Sequence, residues 1–241
     1  MTFIPITFGK QVVLSDSQKE CAVFGGAFDP PHVGHELMIE EARKQHGIDR
    51  FCFLPTGNTP LKPNISLFQE RLEMLKAFAS YLNKKIGDGK NHFEISTAYQ
   101  HTPNFMDALR RLFPDLATRK EKVVFMAGSD AAVLGRDENK LLGIFGNAIN
   151  ALEFYKRFVL LINKRGDEAI PTKINIGGKK ADLDYAIQKL SPKDQNISST
   201  IIRTQLNAEE DNAALPFKVP KPVLGVIQKL KLYGSNSTLL K

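Results

Sequence analysis

The chain has 241 residues, of which 42% are hydrophobic and 24% are charged, and this composition is ordinary for a folded protein with room for one well-buried α/β domain. Its 33 lysines and arginines outnumber its 26 acidic residues, a balance that favours anionic partners without choosing among nucleotides, nucleic acid and membrane surfaces. No run of like charge is long enough for a nucleic-acid-binding arm, and no apolar segment approaches membrane-spanning length. We therefore expect neither nucleic acid nor a membrane as a partner.

The cellular compartment is indicated by the N-terminus and by the cysteines. The first residues lack a basic segment followed by an unbroken apolar stretch, so no signal peptide is predicted. Cys21 and Cys52 each lie in an apolar segment, which is typical of buried free thiols in a reducing compartment. We expect a cytoplasmic protein. The sequence does not determine the oligomeric state of the protein, and a homo-oligomer is among the states that it allows.

Short apolar stretches, typical of strands buried on both faces, lie at residues 21–24, 51–54, 93–95, 123–126 and 158–162. Helical patterns lie between several of them, at residues 36–45, 67–82 and 106–113. This alternation predicts an α/β fold with a Rossmann-like, doubly wound, mainly parallel sheet. From about Ser199 the pattern is mostly helical and predicts a C-terminal helical cap. We expect residues 1–20 to be an N-terminal extension and residues 21–241 to form a single domain.

The first predicted strand runs into the segment GGAFDPPHVGH, residues 25–35. Gly25 and Gly26 lack a Cβ, so the chain can turn sharply there and bring backbone N–H groups close to an anion. A helix is expected to begin after the two prolines, which places His32 and His35 on one side of its N-terminus. Free N–H groups, the positive end of the helix dipole and two imidazoles together predict a phosphate-binding site. The spacing matches neither a dinucleotide-binding fingerprint nor a Walker A loop.

The same two histidines could instead form half of a zinc site. That interpretation needs at least a third ligand nearby, and both cysteines lie within predicted strands. No other cluster of histidine or cysteine exists in the chain. We therefore predict no metal held by protein ligands at this place.

This segment resembles the signature of the HxGH nucleotidyltransferases, and GGAFDPPHVGH in particular is similar to that of nicotinate-mononucleotide adenylyltransferases. The resemblance implies that His32 and His35 bind the triphosphate of ATP and stabilise charge as pyrophosphate leaves. It assigns the remainder of the ATP-binding loop to Gly25, Gly26, Ala27 and Phe28. The family usually has a hydroxyl residue at the position of Ala27, so one side-chain contact to phosphate is absent from this chain.

A second helix start is predicted in NISSTIIRTQL, residues 196–206. Ser198, Ser199 and Thr200 are capping residues, and Arg203 lies four residues after Ser199, so both can face the same side of the first turn. Hydroxyls, free N–H groups and a guanidinium form a second anion site, although an ordinary capped helix with a surface arginine has the same pattern. ISSTIIR resembles the late ATP-binding motif of the family, which implies that Arg203 is its phosphate-binding, catalytic arginine.

Two shorter motifs lie at the ends of later strands. VVFMAGSDA is a strand followed by a turn, and the resemblance implies that Gly128 and Asp130 contact the ribose of the bound nucleotide. VLLINKRG is a strand that ends in basic residues, and the resemblance implies that Arg165 belongs to an acceptor-binding loop.

The acceptor side departs from the family in several places. GNTPLKPN keeps Asn58 and Lys62 of the acceptor loop but has a leucine where the family has a histidine. Asn104 and Phe105 align with the segment that the family places beside the pyridine ring. The chain has no tryptophan to stack on that ring. The aromatic residues that could take its place are Phe105, Phe145 and Tyr155.

The reaction that the resemblance implies is adenylyl transfer from ATP to nicotinate mononucleotide, which yields deamido-NAD and pyrophosphate. The partners are then ATP and a mononucleotide, and Mg²⁺ is expected to be held mainly by the phosphates. Two alternatives stay open. One is the same chemistry on nicotinamide mononucleotide or another phosphorylated acceptor, and the other is a regulator that binds ATP without catalysis.

Overall fold

The computed structural model describes residues 13–57, 64–128, 138–164, 170–171, 173–189, 197–207 and 218–234. Some of the predicted site residues lie outside these ranges, and their roles stay predictions. They are Asn58, Lys62, Asp130 and Arg165.

A parallel sheet forms the centre of the molecule. The strands of the described part are β1 (Cys21–Gly26), β2 (Arg50–Pro55), β3 (Phe93–Ile95), β4 (Val123–Gly128), β5 (Phe158–Lys164), β6 (Lys173–Ile176), β7 (Lys179–Asp182) and β8 (Tyr185–Lys189). Six of them pair in the order β3-β2-β1-β4-β5-β8, and every pairing in this sheet is parallel. The predicted doubly wound α/β fold is confirmed. Strands β6 and β7 form a separate antiparallel pair.

The helices of the described part are α1 (Asp16–Lys19), α2 (Val33–His46), α3 (Phe68–Ile86), α4 (Phe105–Leu112), α5 (Glu138–Phe145), α6 (Ala148–Arg157), α7 (Ser199–Asn207) and α8 (Lys221–Lys229). Two 3-10 turns lie at Ala98–His101 and Leu232–Gly234. None of the helices in this part of the chain is long and apolar enough to cross a bilayer.

The sheet separates two hydrophobic cores. Helices α2, α3, α7 and α8 bury apolar side chains on one face, and α4, α5 and α6 bury theirs on the other. In β1, Ala22 and Phe24 belong to the first core while Val23 belongs to the second. Because successive residues of a strand point to opposite faces, burial on both sides requires the unbroken apolar runs seen in the sequence.

Strand β1 lies between β2 and β4 at the centre of the sheet. The chain continues from β1 to β2 on one side and later crosses to β4 on the other, so the strand order reverses beside β1. In open α/β sheets, ligands bind at the carboxyl ends of the strands at such a point. Gly26 ends β1 and Gly128 ends β4, so both lie at this edge.

Several elements were absent from the sequence-based expectation. They are β8, the β6–β7 pair, α5 and α6. At the N-terminus, the described residues 13–20 include α1, and Leu14 is 4% exposed within the first core. The division into an extension and one domain stays a prediction.

Candidate functional site

The connection between β1 and α2 is anchored by a buried aromatic ring. Phe28 has a positive φ of 51°, a backbone conformation that bulky residues rarely adopt, and its side chain is 1% exposed. Its ring packs edge-on against those of Phe24 and Phe53, each with centroids 5.4 Å away. Packing in the core therefore holds this connection in an unusual conformation, at the carboxyl edge of the sheet.

His32 and His35 lie at the N-terminus of α2, as predicted. His32 is the N-cap residue, and Nδ1 of His35 accepts a hydrogen bond from the backbone N–H of His32 at 3.1 Å. The two ring centroids are 3.8 Å apart. The ring of His35 also contacts Phe28, with centroids 5.1 Å apart. Both imidazoles are thus fixed at the end of a helix where backbone N–H groups and a positive partial charge lie.

Two glycines of this segment are required by close contacts. A Cβ on Gly34 would lie 2.9 Å from two atoms of the His32 ring, so the residue between the histidines has to be glycine for the ring to stay in place. A Cβ on Gly25 would lie 2.4 Å from Cζ of Phe125. Gly25 therefore accommodates a ring of the second core.

The N-terminal turn of α7 packs against the same connection. Ser198 caps the helix, since its Oγ accepts a hydrogen bond from the N–H of Ile201 at 3.3 Å. Oγ of Ser199 donates to the carbonyl of Pro30 at 3.0 Å. The Thr200 Oγ1 accepts a hydrogen bond from Arg203 at 3.4 Å. The predicted capping is confirmed for Ser198, whereas the hydroxyls of Ser199 and Thr200 bond to Pro30 and Arg203 instead. These contacts bring a second helix N-terminus to the chain just before His32.

Arg203 reaches the same connection from α7. Its Nη1 donates to the main-chain carbonyl of Asp29 at 2.7 Å and lies 3.6 Å from Oδ2 of the Asp29 carboxylate. The Arg203 side chain is 23% exposed, whereas that of Asp29 is fully buried. Arg203 and the histidine pair, far apart in sequence, thus lie at the same connection between β1 and α2.

Sequence reasoning missed a group of residues that surrounds Asp29. Its carboxylate accepts hydrogen bonds from the N–H of Ser66 at 3.1 Å and from the hydroxyl of Tyr233. Arg71, which is fully buried, donates to the carbonyls of Ala27 and Ser66 at 2.9 and 3.0 Å. Burial lowers the pKa of Arg71, and the nearby Asp29 carboxylate opposes that shift. Ser66, Arg71 and Tyr233 belong to none of the motifs found in the sequence, and the motif that contains Asp29 gives no sign of these distant partners.

The predicted acceptor-binding residues in the described part of the chain have no described contact with the histidine pair. Asn104 caps α4: its Oδ1 accepts the N–H of Asp107 at 3.0 Å, and its Nδ2 donates to the Asp107 carboxylate at 2.7 Å. Phe105, Phe145 and Tyr155 are 6%, 3% and 4% exposed and belong to the second core, whereas His35 contacts rings of the first core. The described contacts do not bring these residues to the histidine pair, and their acceptor role stays a prediction.

The chemistry of the site is that of an anion-binding site. Two imidazoles, a guanidinium and two helix N-termini all favour negative charge. Within the described ranges, no group of three or more His, Cys, Asp and Glu side chains is arranged to hold a metal ion.

The chain is similar in sequence to known proteins. The cytidylyltransferase-like family model matches residues 23–205. A "probable nicotinate-nucleotide adenylyltransferase" of Dehalococcoides mccartyi is 26% identical over 219 residues, covering 88% of this chain and 95% of that protein. One of the same name from Clostridium botulinum is 27% identical over 224 residues, covering 89% and 98%.

Solved structures of the same fold include the nicotinic acid mononucleotide adenylyltransferase of Plasmodium falciparum. Its complex with NaAD has a TM-score of 0.64 at 17% identity, and the match covers 90% of this chain and 98% of that one. Its complex with APC has a TM-score of 0.63 at 18% identity. The resemblance inferred from the sequence motifs is confirmed. The matched residues include both histidines and Arg203 and span well over half of the chain, which therefore belongs to the cytidylyltransferase-like family.

Proposed function

We propose that this protein transfers the adenylyl group of ATP to nicotinate mononucleotide, which yields deamido-NAD and pyrophosphate. The names of the relatives support this reaction, because their similarity extends over nearly their whole length. The observation that carries the proposal is the meeting of His32, His35 and Arg203 at one loop at the carboxyl edge of the sheet.

The hydrogen bonds of the site assign a donor to His35. Its Nδ1 accepts the N–H of His32, so the proton of the ring is on Nε2. Nε2–H is then the group that donates to a phosphate oxygen. With the positive ends of α2 and α7 and the Arg203 guanidinium, this donor forms a cradle for the β- and γ-phosphates.

Adenylyl transfer in such a site needs positioning and charge stabilisation rather than a nucleophilic side chain. A phosphate oxygen of the mononucleotide forms a bond to the α-phosphorus of ATP. The bond from that phosphorus to the bridging oxygen breaks on the opposite side, and pyrophosphate keeps the electron pair. Negative charge grows on the departing group, where the imidazole donor and Arg203 stabilise it.

We propose that Mg²⁺ enters with ATP and is held mainly by its phosphates. This ion retains several waters and needs few protein ligands, which fits an anion site whose described residues form no carboxylate cluster. When bound, it neutralises part of the phosphate charge.

The remaining assignments follow the resemblance. On the ATP side they are Gly25, Gly26, Ala27, Phe28, Gly128, Asp130, Ser198, Ser199 and Thr200. On the acceptor side they are Asn58, Lys62, Asn104, Phe105 and Arg165.

The proposal is tested by pyrophosphate release from MgATP with each of three acceptors: nicotinate mononucleotide, nicotinamide mononucleotide and 4′-phosphopantetheine. We expect the largest kcat/KM with nicotinate mononucleotide. A larger kcat/KM with another acceptor would mean that this acceptor is the substrate, and the proposed adenylyl transfer would still stand. Binding of ATP without release of pyrophosphate from any pair would contradict catalysis and identify an ATP-binding regulator.

A further inference from the structure

The buried Asp29 carboxylate connects four distant parts of the chain. Asp29 itself lies between β1 and α2, Ser66 precedes α3, Arg203 lies in α7 and Tyr233 lies in the last 3-10 turn. The Tyr233 hydroxyl donates to Oδ1 of Asp29 across 204 positions of sequence, and it accepts a hydrogen bond from the Ser66 Oγ at 3.2 Å. A fully buried carboxylate needs such donors, so these contacts determine where Asp29 lies.

The contact between Asp29 and Tyr233 joins two strained segments of backbone. Tyr233 has φ 55° and ψ 36°, and Phe28, next to Asp29, has φ 51°. Residues other than glycine keep left-handed conformations where their surroundings impose them, and such positions concentrate at functional sites. Burial and the Asp29 carboxylate also raise the pKa of Tyr233, which keeps the phenol protonated as a hydrogen-bond donor.

Arg203 depends on Asp29 for its position. Nη1 of Arg203 is held by the Asp29 carbonyl at 2.7 Å and lies 3.6 Å from the Asp29 carboxylate, while Nη2 reaches Thr200 Oγ1 only at 3.4 Å. A rotation of the Asp29 side chain would change the 3.6 Å ion pair with this guanidinium, and a displacement of the whole residue would also move the carbonyl that Nη1 contacts. Arg71 holds the other side of the loop through the Ala27 carbonyl at 2.9 Å.

We infer that Tyr233 is a positioning residue for the proposed adenylyl transfer: its hydroxyl fixes Asp29, and Asp29 in turn holds Arg203 in place to bind the β- and γ-phosphates. This inference rests on the proposed function for the identity of the ligand. It gives the C-terminal turn a role in phosphate binding through Asp29 and Arg203, without any contact between Tyr233 and the nucleotide.

The test is a double-mutant cycle on nucleotide affinity. Dissociation constants for MgATP and for AMP are measured by calorimetry on the wild type, Tyr233→Phe, Arg203→Ala and the double variant. Tyr233→Phe removes only the hydroxyl, and we expect it to weaken ATP binding about fivefold and AMP binding less than twofold, because AMP lacks the two outer phosphates. In the Arg203→Ala background, loss of the hydroxyl is expected to change ATP affinity by less than about twofold.

A matched control is Tyr81→Phe, which also removes a tyrosine hydroxyl that donates to a buried carboxylate, that of Glu36 at 3.0 Å. We expect this variant to bind ATP like the wild type. Equal weakening of ATP and AMP by Tyr233→Phe would show a general structural effect and overturn the inference. A fivefold loss of ATP affinity caused by Tyr233→Phe in the Arg203→Ala background would also overturn the inference. A wild type that binds ATP but releases no pyrophosphate contradicts the proposed function alone, and one that binds no ATP contradicts both.

Discussion

His35 uses the two nitrogens of its ring for different purposes. Nδ1 accepts the N–H of His32 and so caps α2, which leaves Nε2 as the protonated nitrogen. Gly34 makes this arrangement possible, because a Cβ there would lie 2.9 Å from the His32 ring. The order histidine, any residue, glycine, histidine is therefore explained by helix capping and by the space that one ring needs.

Replacing His35 with alanine removes both roles. We expect kcat for pyrophosphate release to fall by a factor on the order of 10²–10³, as is usual when one charge-stabilising donor is lost. The lost cap is expected to lower the free energy of unfolding by about 1 kcal/mol, so the variant stays folded. Steady-state kinetics at saturating ATP and a thermal melt check the two values. His101→Ala, an exposed histidine in a 3-10 turn, serves as the control. A purified His35→Ala protein with wild-type kcat would refute the catalytic assignment.

The sequence predicts contacts within one helical turn but not those across the fold. The spacing of His32 and His35, and of Ser199 and Arg203, fixes which side chains share a helix face, and the structure confirms both pairs. The contact between Asp29 and Tyr233 has no local signal, since 204 positions separate the two residues and only the folded chain brings them together.

At the scale of elements, strands buried on both faces were the easiest to predict. The run at β1 is apolar from Cys21 onward, and the observed strand extends two residues beyond the prediction, to Gly26. Strand β8 was missed because it carries a glutamine: Gln188 is fully buried and donates to the main-chain carbonyl of Met38 in α2. Its burial depends on packing between elements, which a hydropathy pattern does not contain.

A pair of glycine substitutions tests the packing of these elements. Gly25→Ala in β1 would push a Cβ into Phe125, whose ring is enclosed by Phe105 and Phe154, and we expect it to lower the free energy of unfolding by about 1–3 kcal/mol. Gly225→Ala in α8 meets no atom within 4 Å and is expected to raise it by about 0.5–1 kcal/mol, since alanine favours a helix. Urea denaturation measures both. If both substitutions changed the free energy of unfolding in the same direction and by the same amount, the close packing of Phe125 against Gly25 in β1 would be contradicted.

At the scale of the whole molecule, a thiol buried in the central sheet contributes to how stability varies with pH. Cys52 in β2 is 4% exposed, and burial raises the pKa of its thiol to about 12 from an ordinary value of 9.0. The unfolded chain releases this proton near pH 9, whereas the folded chain retains it until about pH 12. The stability that the thiol contributes is therefore complete below pH 9 and is lost as the pH rises from 9 toward 12.

We expect the free energy of unfolding to fall between pH 8 and pH 10, with about 1 kcal/mol of the decrease due to Cys52. In Cys52→Ala this part of the decrease disappears, whatever the variant's own stability at pH 8. Urea denaturation at the two pH values measures the difference. An identical pH dependence in the two proteins would mean that the thiol titrates in the folded state as it does in the unfolded chain.

A crystal structure of the protein with a non-hydrolysable ATP analogue and Mg²⁺ tests the proposed phosphate site most directly. We expect the β- and γ-phosphates to lie between the N-termini of α2 and α7, with oxygens within hydrogen-bond distance of His35 Nε2 and of the Arg203 guanidinium. A triphosphate bound elsewhere on the sheet edge, with no oxygen within hydrogen-bond distance of His35 Nε2 or of the Arg203 guanidinium, would contradict it.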